Sequence, residues 1–177
     1  MKVLILKDRN NKLITSILKV SKKNERFADI YYSDNGVYFT DGFRALKINS
    51  DFFSFDFQPE NNTTYTVVSK SNNKPGVMYY LEKVEGQVPQ FNNVFFSDDV
   101  KKSLFSCQID SDIIANNVII NIYKAIECGI RYDFIKDLIC NDNELIEIYG
   151  IGEHKPIMFE YTGSQFIIMP YKVKDVL

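Results

Sequence analysis

ADIYYSDNGVYFTDGFRAL, residues Ala28–Leu46, is the stretch that decides the fold of this 177-residue chain. Aromatic and polar residues alternate on both sides of Asp34-Asn35-Gly36, and Asn and Gly tolerate the positive φ of a tight hairpin turn. The pattern therefore predicts two antiparallel strands, Ala28–Ser33 and Val37–Thr40. After a second turn a third strand is expected, Phe43–Ile48.

The residues before this stretch predict a strand and a helix. Lys2–Lys7 is a short apolar run. Over Asp8–Lys23 the period changes, and the apolar side chains that share one helical face are Leu13, Ile14, Ile17 and Leu18. At about 100° per residue, a basic group is expected on the opposite face: Arg9, Lys12, Lys19 and Lys23. A strand, a helix and three strands thus form a first unit, residues 1–50.

The last third of the chain repeats this order. A strand over Val118–Ile126 is expected to precede a helix over Ile130–Cys140, whose inward face would carry Ile130, Phe134, Ile135, Leu138 and Ile139. The three strands predicted after it are Leu145–Tyr149, Pro156–Tyr161 and Gln165–Met169. The expected class is α+β, with a sheet backed by two helices. We take residues 1–177 as one domain, with an insert and linker over 51–118 and a second unit over 119–177.

The middle of the chain gives weaker signals. Loop-forming residues separate two expected strands, Tyr65–Ser69 and Val77–Val84. Ser97-Asp98-Asp99 could cap a short helix that runs through Phe105. The residues over Asp51–Tyr80 carry no signal that explains their role.

The composition does not indicate a strongly basic, disulfide-rich or membrane-spanning protein. Hydrophobic residues make up 45% of the chain and charged residues 25%, as in ordinary globular proteins, and the net charge of −2 gives no global attraction to nucleic acid. Three widely spaced cysteines suit reduced thiols in a cytoplasmic protein. No apolar run reaches the roughly 20 residues that span a bilayer. His154 is expected in an exposed turn, and no motif predicts a catalytic, metal or cofactor site.

Three stretches resemble the bacterial DNA sliding clamp family, the beta subunit of DNA polymerase III, in a shortened form. Ala28–Leu46 is similar to the middle-domain segment that ends in T-D-G-H-R-L, with Phe43 in place of the usual His. Val84–Phe95, VEGQVPQFNNVF, is similar to the E-G-x-[FY]-P-x-[FY]-x-x-V linker between domains. Gly129–Val173 is similar to the closing helix and strands, which end in M-P-[MV]-[RK]-L. The resemblance implies a clamp-like fold without catalytic activity.

The resemblance also implies a groove that binds short peptide motifs of polymerases, clamp loaders and repair proteins. The residues that match the walls of this groove are Thr40, Gly42, Phe43, Arg44, Pro89, Val94, Ile167, Met169, Pro170 and Tyr171. Methionine, proline and aromatic side chains can form an adaptable apolar slot for an extended peptide. Arg44 could pair with a polar group of the partner.

Contact with duplex DNA, as in a processivity factor, is a further implication. Clamps line their central hole with basic helices that touch phosphates without reading sequence. The group Arg9, Lys12, Lys19 and Lys23 suits that role, and such a ring would require a homo-oligomer. Two alternatives stay open at this point. The chain could be a monomeric decoy or adaptor that binds clamp-binding peptides without encircling DNA, or an unrelated small enzyme.

Overall fold

The computed structural model describes residues 1–5, 8–23, 29–73, 76–85, 91, 94–152 and 155–171. The chain folds as two compact units, Met1–Gln90 and Phe91–Leu177. The described residues form eleven strands and three α-helices, and the strands pair antiparallel within each unit. The α+β class predicted from the sequence is therefore confirmed.

The first unit is an antiparallel sheet with one helix packed on it. The helix α1 covers Asp8–Lys23, as predicted, and its apolar residues from Leu13 to Leu18 are buried against β3 and β4. The seven strands of this unit are β1 (Lys2–Ile5), β2 (Asp29–Ser33), β3 (Gly36–Thr40), β4 (Arg44–Ile48), β5 (Phe53–Phe55), β6 (Thr63–Asn73) and β7 (Gly76–Val84).

The region whose role the sequence does not explain, Asp51–Tyr80, supplies β5, β6 and the first part of β7. In the first unit the strand order is β5-β1-β7-β6-β2-β3-β4, so the long β6–β7 hairpin lies between β1 and β2. β5 pairs with the other side of β1, where Phe53 is opposite Ile5. The hairpin thus widens the sheet beneath α1 rather than projecting from it as a separate element.

The second unit has the same strand, helix and three-strand order without such a hairpin. Its strands are β8 (Ser103–Cys107), β9 (Ile146–Gly150), β10 (Ile157–Tyr161) and β11 (Ser164–Ile168), in the order β11-β10-β9-β8. Its helices are α2 (Asp112–Ile126) and the short α3 (Tyr132–Ile135). Buried side chains from the last three strands form about half of its core, among them Ile148, Phe159 and Phe166.

Two elements of the second unit differ from the sequence prediction. The expected strand over Val118–Ile126 is the second half of helix α2, which begins after Ser111, whose hydroxyl accepts a hydrogen bond from the Ile114 amide. Ala115, Val118 and Ile122 are buried at helical spacing, so packing overrides the strand preference of the β-branched residues.

The expected helix after Ser97 is also wrong. Only one 3-10 turn forms, over Asp98–Val100, and Ser97 makes no side-chain cap. β8 follows it and pairs with β9. The helix predicted over Ile130–Cys140 is shorter than expected, with α3 continuing as a 3-10 turn over Lys136–Leu138.

Candidate functional site

The loop between β3 and β4 is held by its own side chains. The Asp41 carboxylate accepts hydrogen bonds from the backbone amides of Phe43, at 3.0 Å, and Arg44, at 2.8 Å. The Thr40 hydroxyl donates to the Arg44 carbonyl at 2.7 Å and accepts from the Gly42 amide at 3.1 Å. Gly42 has φ +88°, a conformation that glycine adopts without strain. The sequence Thr-Asp-Gly-Phe-Arg therefore specifies a rigid turn.

Arg44 is part of this scaffold and does not face a partner. Its side chain is buried, and its Nε and Nη2 atoms both lie 2.8 Å from Asp41 Oδ2. Its Nη1 donates to Ser16 Oγ of α1 at 3.1 Å. The expectation that Arg44 pairs with a partner's polar group is wrong, because the guanidinium already binds a buried carboxylate.

Phe43 is the residue that this loop presents to solvent. Its side chain is 56% exposed, although its backbone amide is fixed by Asp41. Ser21 of α1 donates a hydrogen bond to the Thr40 carbonyl at 2.8 Å, which ties the start of the loop to the helix. A large apolar side chain on a fixed backbone is suited to binding, because little conformational entropy is lost on contact.

The end of β11 presents a second apolar patch, within the second unit. Met169 is 44% exposed and Tyr171 is 50% exposed, with Pro170 half-buried between them. The backbone of Tyr171 forms two hydrogen bonds with Gly129, at 3.0 and 3.1 Å, so this segment is fixed after the strand ends. Ile167 is buried in the core, and the expectation that its side chain lines a groove is corrected accordingly.

The remaining predicted groove residues contribute less to these surfaces. Val94 is half-buried in a turn, where its amide donates to the Phe91 carbonyl at 2.9 Å. Pro89 lies outside the described residues, as does His154. Thr40 is half-buried, and its hydroxyl serves the turn itself.

The exposed basic group on α1 is smaller than predicted. Lys12, Lys19 and Lys23 are exposed, but Arg9 is completely buried and cannot contact DNA. The physical reason is that Arg9 precedes Leu13 by one turn and lies about 40° from it on the helix, at the edge of the buried face. Two lysines that the sequence analysis did not single out, Lys22 and Lys70, lie near Lys19 beside a pocket.

Histidine, cysteine and acidic side chains of the described residues form no metal site. Among those residues, no three His, Cys, Asp or Glu side chains lie close enough to hold a metal ion. Burial raises the pKa of the Cys107 thiol, which keeps it protonated and unreactive at neutral pH. Cys128 is buried as a small core residue. Within the same ranges, no helix is long and apolar enough to cross a membrane.

Proteins similar to this chain are found among solved structures. No protein-family model and no curated protein matches the chain. The beta subunit of DNA polymerase III from Borrelia burgdorferi, solved in complex with a natural product, matches 98% of the chain at a TM-score of 0.54 and 10% identity. The Helicobacter pylori beta clamp bound to a DNA ligase peptide matches 97% at 0.53 and 10%, and Caulobacter crescentus pol III beta matches 96% at 0.53 and 12%.

The chain has the fold of a bacterial sliding clamp. The match extends over nearly its whole length, and it covers 65% or 66% of each of those three clamp chains, which is less than two thirds. The clamp-like fold predicted from the three sequence stretches is thereby confirmed. The repeated strand, helix and three-strand unit of this clamp-like protein is the one that the sequence patterns predict.

Proposed function

We propose that this protein is a non-catalytic, clamp-like protein of DNA replication that binds short peptide motifs of partner proteins. The observation that carries the proposal is Phe43, an exposed aromatic side chain on a turn fixed by a buried ion pair. It lies in the Thr-Asp-Gly-Phe-Arg segment that resembles a wall of the clamp groove. The similar Helicobacter pylori clamp was solved with a DNA ligase peptide bound.

The patch at Met169 and Tyr171 supports the same function from the second unit. Both side chains are about half exposed, on a backbone held by Gly129. A methionine next to aromatic and proline side chains can adapt its shape to different apolar anchors. Each patch lies within a single unit, so each can be tested by its own variant.

The test is binding of a fluorescein-labelled DNA ligase peptide, of the kind bound by the Helicobacter pylori clamp, measured by fluorescence anisotropy. Phe43→Asp and Met169→Asp are each expected to weaken binding by about tenfold or more, because a buried apolar contact is replaced by a charge that must be desolvated. The matched controls are Val68→Asp and Ile113→Asp, which place the same charge on exposed apolar residues elsewhere in the first and second units. The proposal fails if the unmodified protein does not bind the peptide, or if the control variants lose affinity equally.

Contact with duplex DNA is a second part of the proposal, and it depends on α1. Lys12, Lys19 and Lys23 are exposed along this helix. The exposed side of α2 instead carries apolar residues, including Ile113, Ile120 and Tyr123. Combined Lys12→Glu and Lys23→Glu substitutions are expected to abolish salt-dependent binding of duplex DNA while sparing the peptide.

Assembly state decides whether DNA would be encircled. Size exclusion with light scattering on the unmodified protein, with and without duplex DNA, measures it directly. A ring-sized assembly would support a processivity factor. A monomer that binds the peptide but no DNA would favour the adaptor or decoy function.

A further inference from the structure

A pocket of about 310 Å³ lies between helix α1 and the β6–β7 hairpin, within the first unit. Its volume is at the lower end of the range for small-molecule sites, about 300–1,000 Å³. The hairpin that forms one wall is the one that lies between β1 and β2, and the second unit has no such hairpin among its described strands. The pocket is therefore a feature of the segment for which the sequence offered no role.

Three lysines surround this pocket. Lys19 and Lys22 are contributed by the last turns of α1, and Lys70 by β6. No carboxylate is among the described residues that line the pocket, and none of the three lysines forms an ion pair with a described residue. Three lysines at one pocket, with no described acidic partner, create a local positive potential that favours an anion.

The lysines keep hydrogen-bond donors available for a ligand. Lys22 Nζ donates to the Val67 carbonyl and Lys70 Nζ to Thr15 Oγ1, each at the long distance of 3.4 Å. Because an ammonium group has three donors, each of these lysines retains two. The hydroxyls of Thr15 on α1 and Tyr79 on β7 lie 3.3 Å apart and add polar groups to the site.

A β-bulge directs Lys70 toward the pocket. Val67 pairs with Leu81, but Ser69 pairs with Tyr80 and Lys70 with Tyr79, so Val68 is an extra residue in β6. In a regular strand, residues three apart point to opposite faces. The bulge places Lys70 on the same face as buried Val67, toward α1. Bulges of this kind often redirect a side chain beside a functional site.

The floor of the pocket is apolar and limits what the anion can be. Leu18, Val67 and Tyr79 are buried and line it. A ligand with both an anionic end and an apolar or planar body would contact the lysines and this floor together. Phosphate is favoured over carboxylate, because a phosphomonoester brings about two negative charges and three acceptor oxygens to the three lysines of the pocket, whereas a carboxylate brings a single charge.

We propose that this pocket binds a phosphomonoester of nucleotide size, with its phosphate at Lys19, Lys22 and Lys70 and its base or other planar body over Leu18 and Val67. The site is distinct from both apolar patches and does not depend on peptide binding. It shares only Lys19 with the exposed lysines proposed to contact DNA, so the two sites can be tested separately.

The experiment is isothermal titration of the full chain at an ionic strength of about 0.15 M with adenosine monophosphate, adenosine, inorganic phosphate and duplex DNA. Adenosine monophosphate is expected to bind, and the two fragments are expected to bind about tenfold more weakly or worse, because each lacks half of the contacts. Lys22→Gln and Lys70→Gln are each expected to weaken binding of adenosine monophosphate about tenfold. Lys70→Arg keeps the charge and should retain most of the affinity.

The matched controls are Lys12→Gln and Lys23→Gln, which remove the same charge from exposed positions of α1 outside the pocket. They should leave the affinity within about twofold, since exposed charges beyond the pocket are screened by salt. Absence of adenosine monophosphate binding would overturn the proposal, as would an equal loss in the controls. It would also be overturned if Lys22→Gln and Lys70→Gln weakened only DNA binding, because these lysines would then belong to a DNA-contacting surface.

Discussion

Arg44→Met is expected to destabilise the first unit by about 3 kcal/mol, at the lower end of the range for breaking a buried ion pair. The side chains of Arg44 and Asp41 are only 1% and 0% exposed, so the carboxylate cannot recover its lost partner from water. The substitution removes the two contacts of 2.8 Å from Nε and Nη2. Two backbone amides still donate to Asp41, which is why we expect the lower end of the range.

Urea unfolding followed by far-ultraviolet circular dichroism would measure this effect. With a slope of about 2 kcal/mol per molar urea, a loss of 3 kcal/mol lowers the midpoint by about 1.5 M. The matched control is Lys83→Met, which breaks an exposed ion pair with Glu60. That substitution should leave the urea midpoint nearly unchanged, because water screens an exposed pair.

A second variant distinguishes the contribution of the ion pair to stability from the contribution of the arginine's packing. Asp41→Asn combined with Arg44→Met should cost less than the sum of the two single substitutions, because the double variant leaves no buried charge unpaired. If Arg44→Met left the midpoint unchanged but reduced peptide binding, our assignment of Arg44 to the scaffold would be refuted. The arginine would then act on the partner, as the sequence alone suggested.

Three further substitutions have defined outcomes. Burial raises the pKa of Tyr31 to about 12. The contribution of Tyr31 to the free energy of unfolding is therefore fully present below about pH 10, and it should fall by roughly 1 kcal/mol between pH 9 and pH 11, because the tyrosine of the unfolded chain ionises first. Urea midpoints at both pH values should show a smaller fall for Tyr31→Phe. Gly36→Ala should cost about 1–3 kcal/mol in thermal unfolding, because Gly36 has φ +135° and a Cβ there would lie 2.7 Å from the Ile48 carbonyl oxygen. Gly152→Ala, at φ +132° with nothing within 4 Å, is its control and should cost less. Ser111→Ala should lower stability by about 0.5 kcal/mol in the same assay, since the capping hydrogen bond of α2 is long at 3.5 Å.

The elements with clear periodicity were predictable from the sequence. The α1 helix follows from the spacing of Leu13 to Leu18, and the β2–β3 hairpin from Asp34-Asn35-Gly36 between alternating aromatic residues. α2 was not predictable by the same reasoning, because the run of β-branched residues after Asn117 favours a strand locally. Its burial pattern, with Ala115 and Ile122 facing the core, depends on packing partners distant in sequence.

The surfaces were less predictable than the elements. Residue type alone cannot distinguish a buried arginine from an exposed one, and Arg9 and Arg44 are both buried. Phe43 was placed at the candidate site by its position in the turn motif, and it is exposed as that role requires. The direction of Lys70 depends on the bulge at Val68, for which the strand pattern contains no signal.

The turn from Thr40 to Arg44 also has a consequence for how this surface can change over evolution. Its geometry is set by the side chains of Thr40, Asp41 and Arg44 and by the glycine, and Phe43 contributes only a backbone amide to it. Position 43 can therefore accept a different side chain while the turn keeps its shape. A protein built in this way can acquire a new binding preference through a single codon, without a second mutation to repair the fold.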